Sequence, residues 1–419
     1  MPTLAKVRSI QVGGETTFGT AASNYTTMRV EADSDIQLEQ SAIVNEIAKS
    51  GDYEIARILG GKRGTAVTKM KLHGWTSAAV SSAPSRTEAN DANATAFDQL
   101  LAILASACGN VYSGGYVAAT IAATGTPVNA LTATGGTELT TFESGQAVCW
   151  ATGTTRRAYE LGWITSNTAA TPDSAGLLQT PRRTPQGSAL WGSHNIFVRD
   201  GQPYTDGTVK SWTIKFLGHD AADAIIAYGC QPIGCKFSFV VNQVPTVEIT
   251  WGIAHWARPG SGGAPAIPAW TMPEPQVALD WQMAIGDTSA VGYAVAKSVD
   301  LDVGLTRVAL ESGHSDSGVE GWYKTMTRPK ATMQVHFANS WYTTFDGQTS
   351  IPVTFQHGTA PGRIFGFAMP AARLVNLPKR GDLEGVAVVD LEWEAHLYTG
   401  DAGSDATKPY DSPLKLAFA

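Results

Sequence analysis

The feature that most constrains this chain is that part of it returns. The stretch Thr68–Trp75, TKMKLHGW, is matched far downstream by Thr332–Trp341, TMQVHFANSW; at a fixed shift of 263 positions Met70 falls on Met333, Leu72 on Val335 and His73 on His336. The same shift lays Ile36-Gln37-Leu38-Glu39 over Val299-Asp300-Leu301-Asp302, with no gap from Asp35 to Trp75. Both segments alternate apolar and polar residues, the period-2 pattern of a strand with one buried and one wet face. Later blocks match at a shift near 140: Trp212–Gly218 with Pro352–Gly358, Ala224–Tyr228 with Arg363–Phe367, and Ala254-His255-Trp256 with Ala395-His396-Leu397. A unit of strand, long loop, strand, connector, strand and closing hairpin is therefore expected twice, the first copy carrying about 120 additional residues.

A chain of 419 residues exceeds one ordinary core, so several domains are expected. Charged residues make up only 16%, and 43 glycines and 21 prolines punctuate the chain, which favours strands and turns over long helices. The divisions follow from the repeat: a first unit over 1–110 plus 186–257, an inserted small β domain over 111–185 displayed outward, a Pro- and Gly-rich linker over 258–275, a second unit over 276–400 and a C-terminal arm over 401–419. Asn93–Gly109 reads as a helix, with Phe97, Leu100, Leu101, Leu104 and Cys108 on one face and Gly109 as its stop. No counterpart of that helix is expected after Trp341.

The net charge of −7 argues against neutralising phosphates, which takes clustered Lys and Arg. The opening MPTLAKVRSIQVGG lacks the apolar core of a signal peptide, and no apolar run approaches the ~20 residues of a membrane span. Synthesis in the cytoplasm and no membrane partner are the expectations. Cys108, Cys149, Cys230 and Cys235 lack paired metal or redox spacing and read as buried, reduced thiols.

Catalytic signatures fail one by one. Gly60-Gly61-Lys62-Arg63-Gly64-Thr65 lacks the spacing of a phosphate loop and reads as a turn. Gly313-His314-Ser315-Asp316-Ser317-Gly318 holds the residue types of a hydrolase triad, but neighbours in one turn cannot form the relay geometry, and the nucleophile elbow is missing. The eight histidines show no metal-ligand spacing, so neither metal nor cofactor is expected. Acids distant in sequence can still converge as a glycosidase pair at ~5–10 Å, and twelve tryptophans keep a sugar-binding reading open.

An acidic face is more informative. From Val30 to Glu39 the odd positions are Glu31, Asp33, Asp35, Gln37 and Glu39, while the even ones are apolar or small; Asp300 and Asp302 continue the pattern in the second copy. Like charges on neighbouring strands cost stability, so such a face looks onto water, a cation or a surface where negative charge is useful. Asp390-Leu391-Glu392-Trp393-Glu394 forms another such face. It matches Glu248–Gly252 in either of two registers one residue apart, and one residue reverses the face.

Gly14-Glu15-Thr16-Thr17-Phe18-Gly19-Thr20-Ala21, followed by the strand, long loop and strand of Val30–Trp75, the helix Phe97–Cys108 and the hairpin Cys230–Trp256, resembles the tail tube (major tail) proteins of long-tailed bacteriophages. The resemblance covers most of the first copy and, more weakly, the second. It implies a mainly β chain of two tandem tail-tube-like β-sandwich or barrel units, one helix in the first, whose sheets join their neighbours' into stacked rings. With two units per chain, the family's sixfold ring becomes a trimer of pseudo-sixfold symmetry. It also implies a non-enzymatic virion protein whose partners are copies of itself, tail terminator, distal tail and tape-measure proteins, and viral DNA that passes without specific binding.

The resemblance gives Glu31, Asp33, Asp35, Glu39, Asp300 and Asp302 to the lumen. It gives the inter-ring contact to the long loops Ser41–Gly64 and Gly304–Pro329, with Glu46, Lys49, Asp52, Tyr53, Lys62, Arg63, Arg307, Glu311, Asp316, Tyr323, Lys324 and Arg328. The alternative is a carbohydrate-binding virion decoration or receptor-binding β protein; a metal-free hydrolase built on Ser315 is a third reading.

Overall fold

Alternation in the sequence becomes alternation in space. Along Ala66–Lys71 the even residues Ala66, Thr68 and Met70 are buried, and the odd ones Val67, Lys69 and Lys71 lie on the opposite, partly wet face. The computed structural model describes residues 9–31, 33–43, 58–72, 92–113, 116–117, 130–133, 139–151, 159–168, 174–181, 190–198, 211–217, 224–258, 281–286, 296–313, 318–359, 363–403 and 410–419.

The first elements are β1 (Ser9–Glu15), β2 (Thr26–Arg29), β3 (Asp35–Ile43), β4 (Ile58–Lys71), α1 (Ala92–Cys108) and β5 (Gly109–Ser113). A group of short strands follows: β6 (Tyr116–Val117), β7 (Ala130–Thr132), β8 (Ala147–Ala151), β9 (Tyr159–Thr168), β10 (Ser174–Leu177) and β11 (Leu190–Gly192). Then come β12 (His194–Val198), β13 (Ser211–Leu217), β14 (Ile225–Val240), β15 (Thr246–Ile253) and β16 (His255–Ala257). The remainder is β17 (Gln282–Ile285), β18 (Ala296–Asp302), β19 (Leu305–Glu311), β20 (Val319–Thr327), β21 (Lys330–His336), α2 (Ser340–Gly347), β22 (Ile351–His357), β23 (Phe365–Leu374), β24 (Arg380–Leu383), β25 (Val386–Ala395) and β26 (Lys415–Phe418).

The pairing order occurs twice. The first series runs β1-β13-β14-β15-β4-β3, and the second β17-β22-β23-β25-β21-β18, antiparallel throughout. In each a helix follows the strand that bears the repeated methionine, and a late strand, β16 or β26, adds to β14 or β23. The register also settles the ambiguous match: Val247 lies opposite Met70 and Leu391 opposite Met333, so Leu391 is the counterpart of Val247 and the two faces agree.

The two series share one sheet and one core. Lys236–Val240 of β14 pair with Asp302–Ser298 of β18, and Phe237, Phe239, Val299 and Leu301 are fully buried there. Each such side chain contributes roughly 1.5–3 kcal/mol by burial, so the join is a structural seam. The main apolar cluster runs without a break from Ile10 and Leu104 to Met333, Phe367 and Trp393.

Four expectations need correction. A helix does follow β21, and Trp341 lies in it: α2 sets Trp341 and Phe345, one turn apart, against the core, but its two turns bury no residue fully, which leaves no apolar stripe to read. The stretch 401–419 is not a free arm, because its β26 lies buried between β12 and β23. The small β domain is the sheet β6-β11-β8-β9-β10-β7, and it extends to Gly192, beyond 185. Nor does it merely project outward. Cys149 and Tyr159 pack on Ile364 and Ala419, and Ala147 and Trp163 on Ala368 and Ala417. Beyond Arg258, the expected linker lies outside the described residues.

Candidate functional site

Because β14 pairs with β18, eight strands form one continuous wall in the order β3-β4-β15-β14-β18-β21-β25-β24. Its inner face is core. Its outer face carries the acidic residues picked out in the sequence, together with lysines that alternate with them.

One row crosses six strands as Lys69, Glu248, Lys236, Asp302, Lys330 and Glu394, each the cross-strand neighbour of the next. Lys236 meets Asp302 at 3.5 Å, and Lys330 meets Glu394 at 3.5 Å and Glu392 at 2.7 Å. The adjacent row reads Lys71, Thr246, Ser238, Asp300, Thr332 and Glu392, and a third ends with Gln334 donating to Asp390 at 3.0 Å. Exposed pairs of this kind contribute only ~0–1 kcal/mol each, but alternating signs penalise a slipped register.

The acidic candidates divide accordingly. Asp33 is paired with Lys69 at 2.9 Å, and Glu31 with Lys71 at 3.4 Å. The hydrogen bond from Lys69 holds the Asp33 carboxyl below its ordinary range and raises the lysine in return. Lys330 is likewise raised, chiefly by its hydrogen bond to Glu392. Asp35 and Glu39 are exposed on β3 without a lysine partner among the described residues. Asp300 accepts from the Ser238 hydroxyl, and Asp302 caps the Gly304 N–H at 2.8 Å. On the three rows and β3, Asp35, Glu39, Glu248, Asp300, Asp302, Asp390, Glu392 and Glu394 outnumber Lys69, Lys71, Lys236 and Lys330 two to one; Lys62, Arg63, Lys297 and Arg380 stand elsewhere on the same strands, so the acidic excess belongs to these rows and not to the wall as a whole. The lysines and Glu248, Glu392 and Glu394 join this site only through cross-strand register, which sequence alone did not fix.

The long loop of the second series is the β19–β20 hairpin, and it lies across the first series. Trp322 sits on Gly252 and donates its indole N–H to the Gly229 carbonyl at 2.9 Å. Arg63 meets Glu311 at 2.6 Å and donates to the Gly318 carbonyl at 2.9 Å. Arg307 is half-buried and donates to Gln231 and to the Ser106 carbonyl; desolvation lowers its pKa to about 10. Lys324 reaches the Cys108 carbonyl at 3.4 Å. Arg307 therefore turns its guanidinium into the chain. Arg63, Glu311 and Lys324 also make contacts within the chain. Tyr323, with Val308 and Leu310, projects from the hairpin's outer face. Lys62 lies over the Trp256 ring, and Arg328 is exposed at the hairpin base. Glu46, Lys49, Asp52, Tyr53 and Asp316 lie outside the described residues, as do His314 and Ser315 of the hydrolase reading.

The motif that carried the family resemblance is structural at its centre. The Glu15 carboxylate is fully buried and accepts from the Thr213 hydroxyl (2.7 Å), the N–H groups of Gly19 (2.8 Å) and Gly229 (3.1 Å), and the Ser211 hydroxyl. It ties the β1–β2 turn to β13 and β14.

Among the described residues no group of three or more His, Cys, Asp or Glu is placed to hold a metal. All four cysteines are buried and unpaired, and burial pushes the Cys108 thiol up to about 12. Among the described residues no helix is long and apolar enough to cross a membrane. A cavity of about 40 Å³ between the small sheet and the main body, lined by Trp150, Glu160, Gln179 and Gln356, has room for water but not for a sugar. No protein-family model matches the chain, and no curated protein matches it.

Proposed function

We propose that the chain is a non-enzymatic structural subunit of a phage-type tail tube, in which two tandem units of one duplicated fold build part of a ring wall. The observation that carries this reading is the continuous eight-strand wall: two series of identical pairing order joined edge to edge through β14 and β18, with one polar face whose central rows hold more carboxylates than lysines. A conduit for DNA needs a surface to which phosphate does not adhere. Lysines already paired to carboxylates, within an excess of carboxylates, meet that need.

In this reading three chains close a ring of pseudo-sixfold symmetry, rings stack into a hollow tube in the virion tail, and DNA slides through without specific binding. Tail terminator, distal tail and tape-measure proteins cap and fill the tube. The inter-ring contact falls to the exposed outer face of the β19–β20 hairpin, at Tyr323, Val308 and Leu310. The carbohydrate-binding alternative gains nothing from the tryptophans, since none whose side chain is described is exposed.

The test is electron microscopy and native mass measurement of the purified protein. Stacked rings with an axial hole and three chains per ring are expected. Rings of six chains would overturn the duplicated-unit reading, and a protein that stays monomeric at all concentrations would overturn the tube.

A further inference from the structure

We propose that the β3 edge of one chain pairs head to tail with the Val375–Leu383 edge of a second copy, repeating between chains the β14–β18 join found within each. This rests on the two-unit reading above and names the surface through which it would act.

The argument is a translation of one edge onto another. In the pairing order β3 corresponds to β18, and the stretch from Leu374 into β24 corresponds to the second half of β14. The β14 segment Lys236–Ser238 has two neighbours, β15 on one edge and β18 on the other. Its counterpart has only β25. Among the described residues β3 pairs only with β4; its Ile36 N–H donates to the Asp35 carboxylate at 2.8 Å, and its Glu39 carbonyl accepts from the Trp256 indole at 3.3 Å. Among the described residues the eight-strand wall thus ends in two unpaired edges, and they are the two halves of a join the chain already makes once. An unpaired edge of this length is a template for another strand.

Exposure at these edges agrees. Val299 and Leu301, paired on both sides, are 0% exposed, while their β3 counterparts Ile36 and Leu38 are only partly buried. Across the seam Val375 takes the outward place of Lys236, and Val375 and Leu377 are 41% and 51% exposed, apolar groups left to water along this edge. A strand laid along each edge would bury these groups. Charge is complementary too. The internal join sets Lys236 against Asp302. β3 offers Glu39 in the place of Asp302, where the facing edge has Val375, and its Asp35, four residues back, lies toward exposed Lys379 and Arg380, four and five residues on. Pro378 supplies no N–H, so the intermolecular ladder is carried by β24 on one side of it and Val375–Leu377 on the other. Because the two edges differ, the contact is heterologous and propagates or closes into a ring rather than stopping at a two-fold dimer.

Cysteine cross-linking tests this in the full-length chain, whose four native thiols are buried and raised in pKa. Gln37→Cys is combined in turn with Leu377→Cys, Arg380→Cys and Asp382→Cys, and Ser238→Cys with Asp300→Cys reports the internal join as a positive control. After mild oxidation at least one cross-seam double variant should give covalent multimers on a non-reducing gel. Its two single variants should stay monomeric apart and give a dimer when mixed. Disulfides within a single variant, or none across the seam in folded protein whose control pair closes, would overturn the proposal. Multimers that never stack into tubes would uphold the seam and sink the tail reading; tubes without any cross-seam disulfide would do the reverse.

Discussion

At the residue scale, His357 is the sharpest point of pH sensitivity. It is buried against Phe239, its Nδ1 has no hydrogen-bond partner among the described residues, and burial lowers its pKa from 6.5 to about 4. Between those values the unfolded chain takes up a proton that the folded chain refuses, so stability is full above pH 6.5 and falls as the pH drops. The expected loss from this group is about 2 kcal/mol by pH 5 and about 3 kcal/mol by pH 4. Urea midpoints measured across that range should slope less steeply in His357→Gln than in the parent; parallel slopes would remove the assignment. Nothing in the sequence marked His357, because its character comes from aromatic neighbours distant in the chain. Glu15 was legible only as part of a motif: its four donors come from both sides of a fold that brings Ser211, Thr213 and Gly229 to it. The alternating acids were legible, being local to single strands. The lysines that neutralise many of them sit on other strands.

At the element scale, the β19–β20 hairpin is held by what it lies on. Gly252 leaves room for the Trp322 ring, and a Cβ there would stand 2.3 Å from it. Trp322→Ala removes that packing and the bond to the Gly229 carbonyl, a loss of about 2–4 kcal/mol confined largely to the hairpin's docking. Hydrogen exchange should accelerate in β19 and β20 while the β14–β15 ladder stays protected; unchanged exchange in the hairpin would show that Trp322 does not anchor it. The sequence read this stretch as a long loop because turn residues crowd its tip. The strands on either side alternate only weakly, since the outward face carries Val308, Leu310 and Tyr323 rather than charges. α2 went unread for the related reason that a helix packed by one Trp–Phe pair leaves little periodic signal.

At the scale of the whole molecule, the repeat was legible but the sharing between its copies was not. One core runs through both series, and β26 bridges β12, from the first half of the chain, to β23 of the second series. The two series should therefore unfold together. Calorimetry should give a single transition for the main body, whereas two separated transitions assignable to the two series would show independent halves. The small sheet has its own cluster around Phe142 and Trp150, which gives it the means to melt apart.

The sixteen residues of β14 serve four neighbours, β13, β15, β16 and β18. Three of these lie within a few tens of residues of it and close short loops quickly, while β18 waits on a much longer closure. The second half of the chain thus has no edge to add to until the first has made one, and that order is also the order in which a ribosome delivers them.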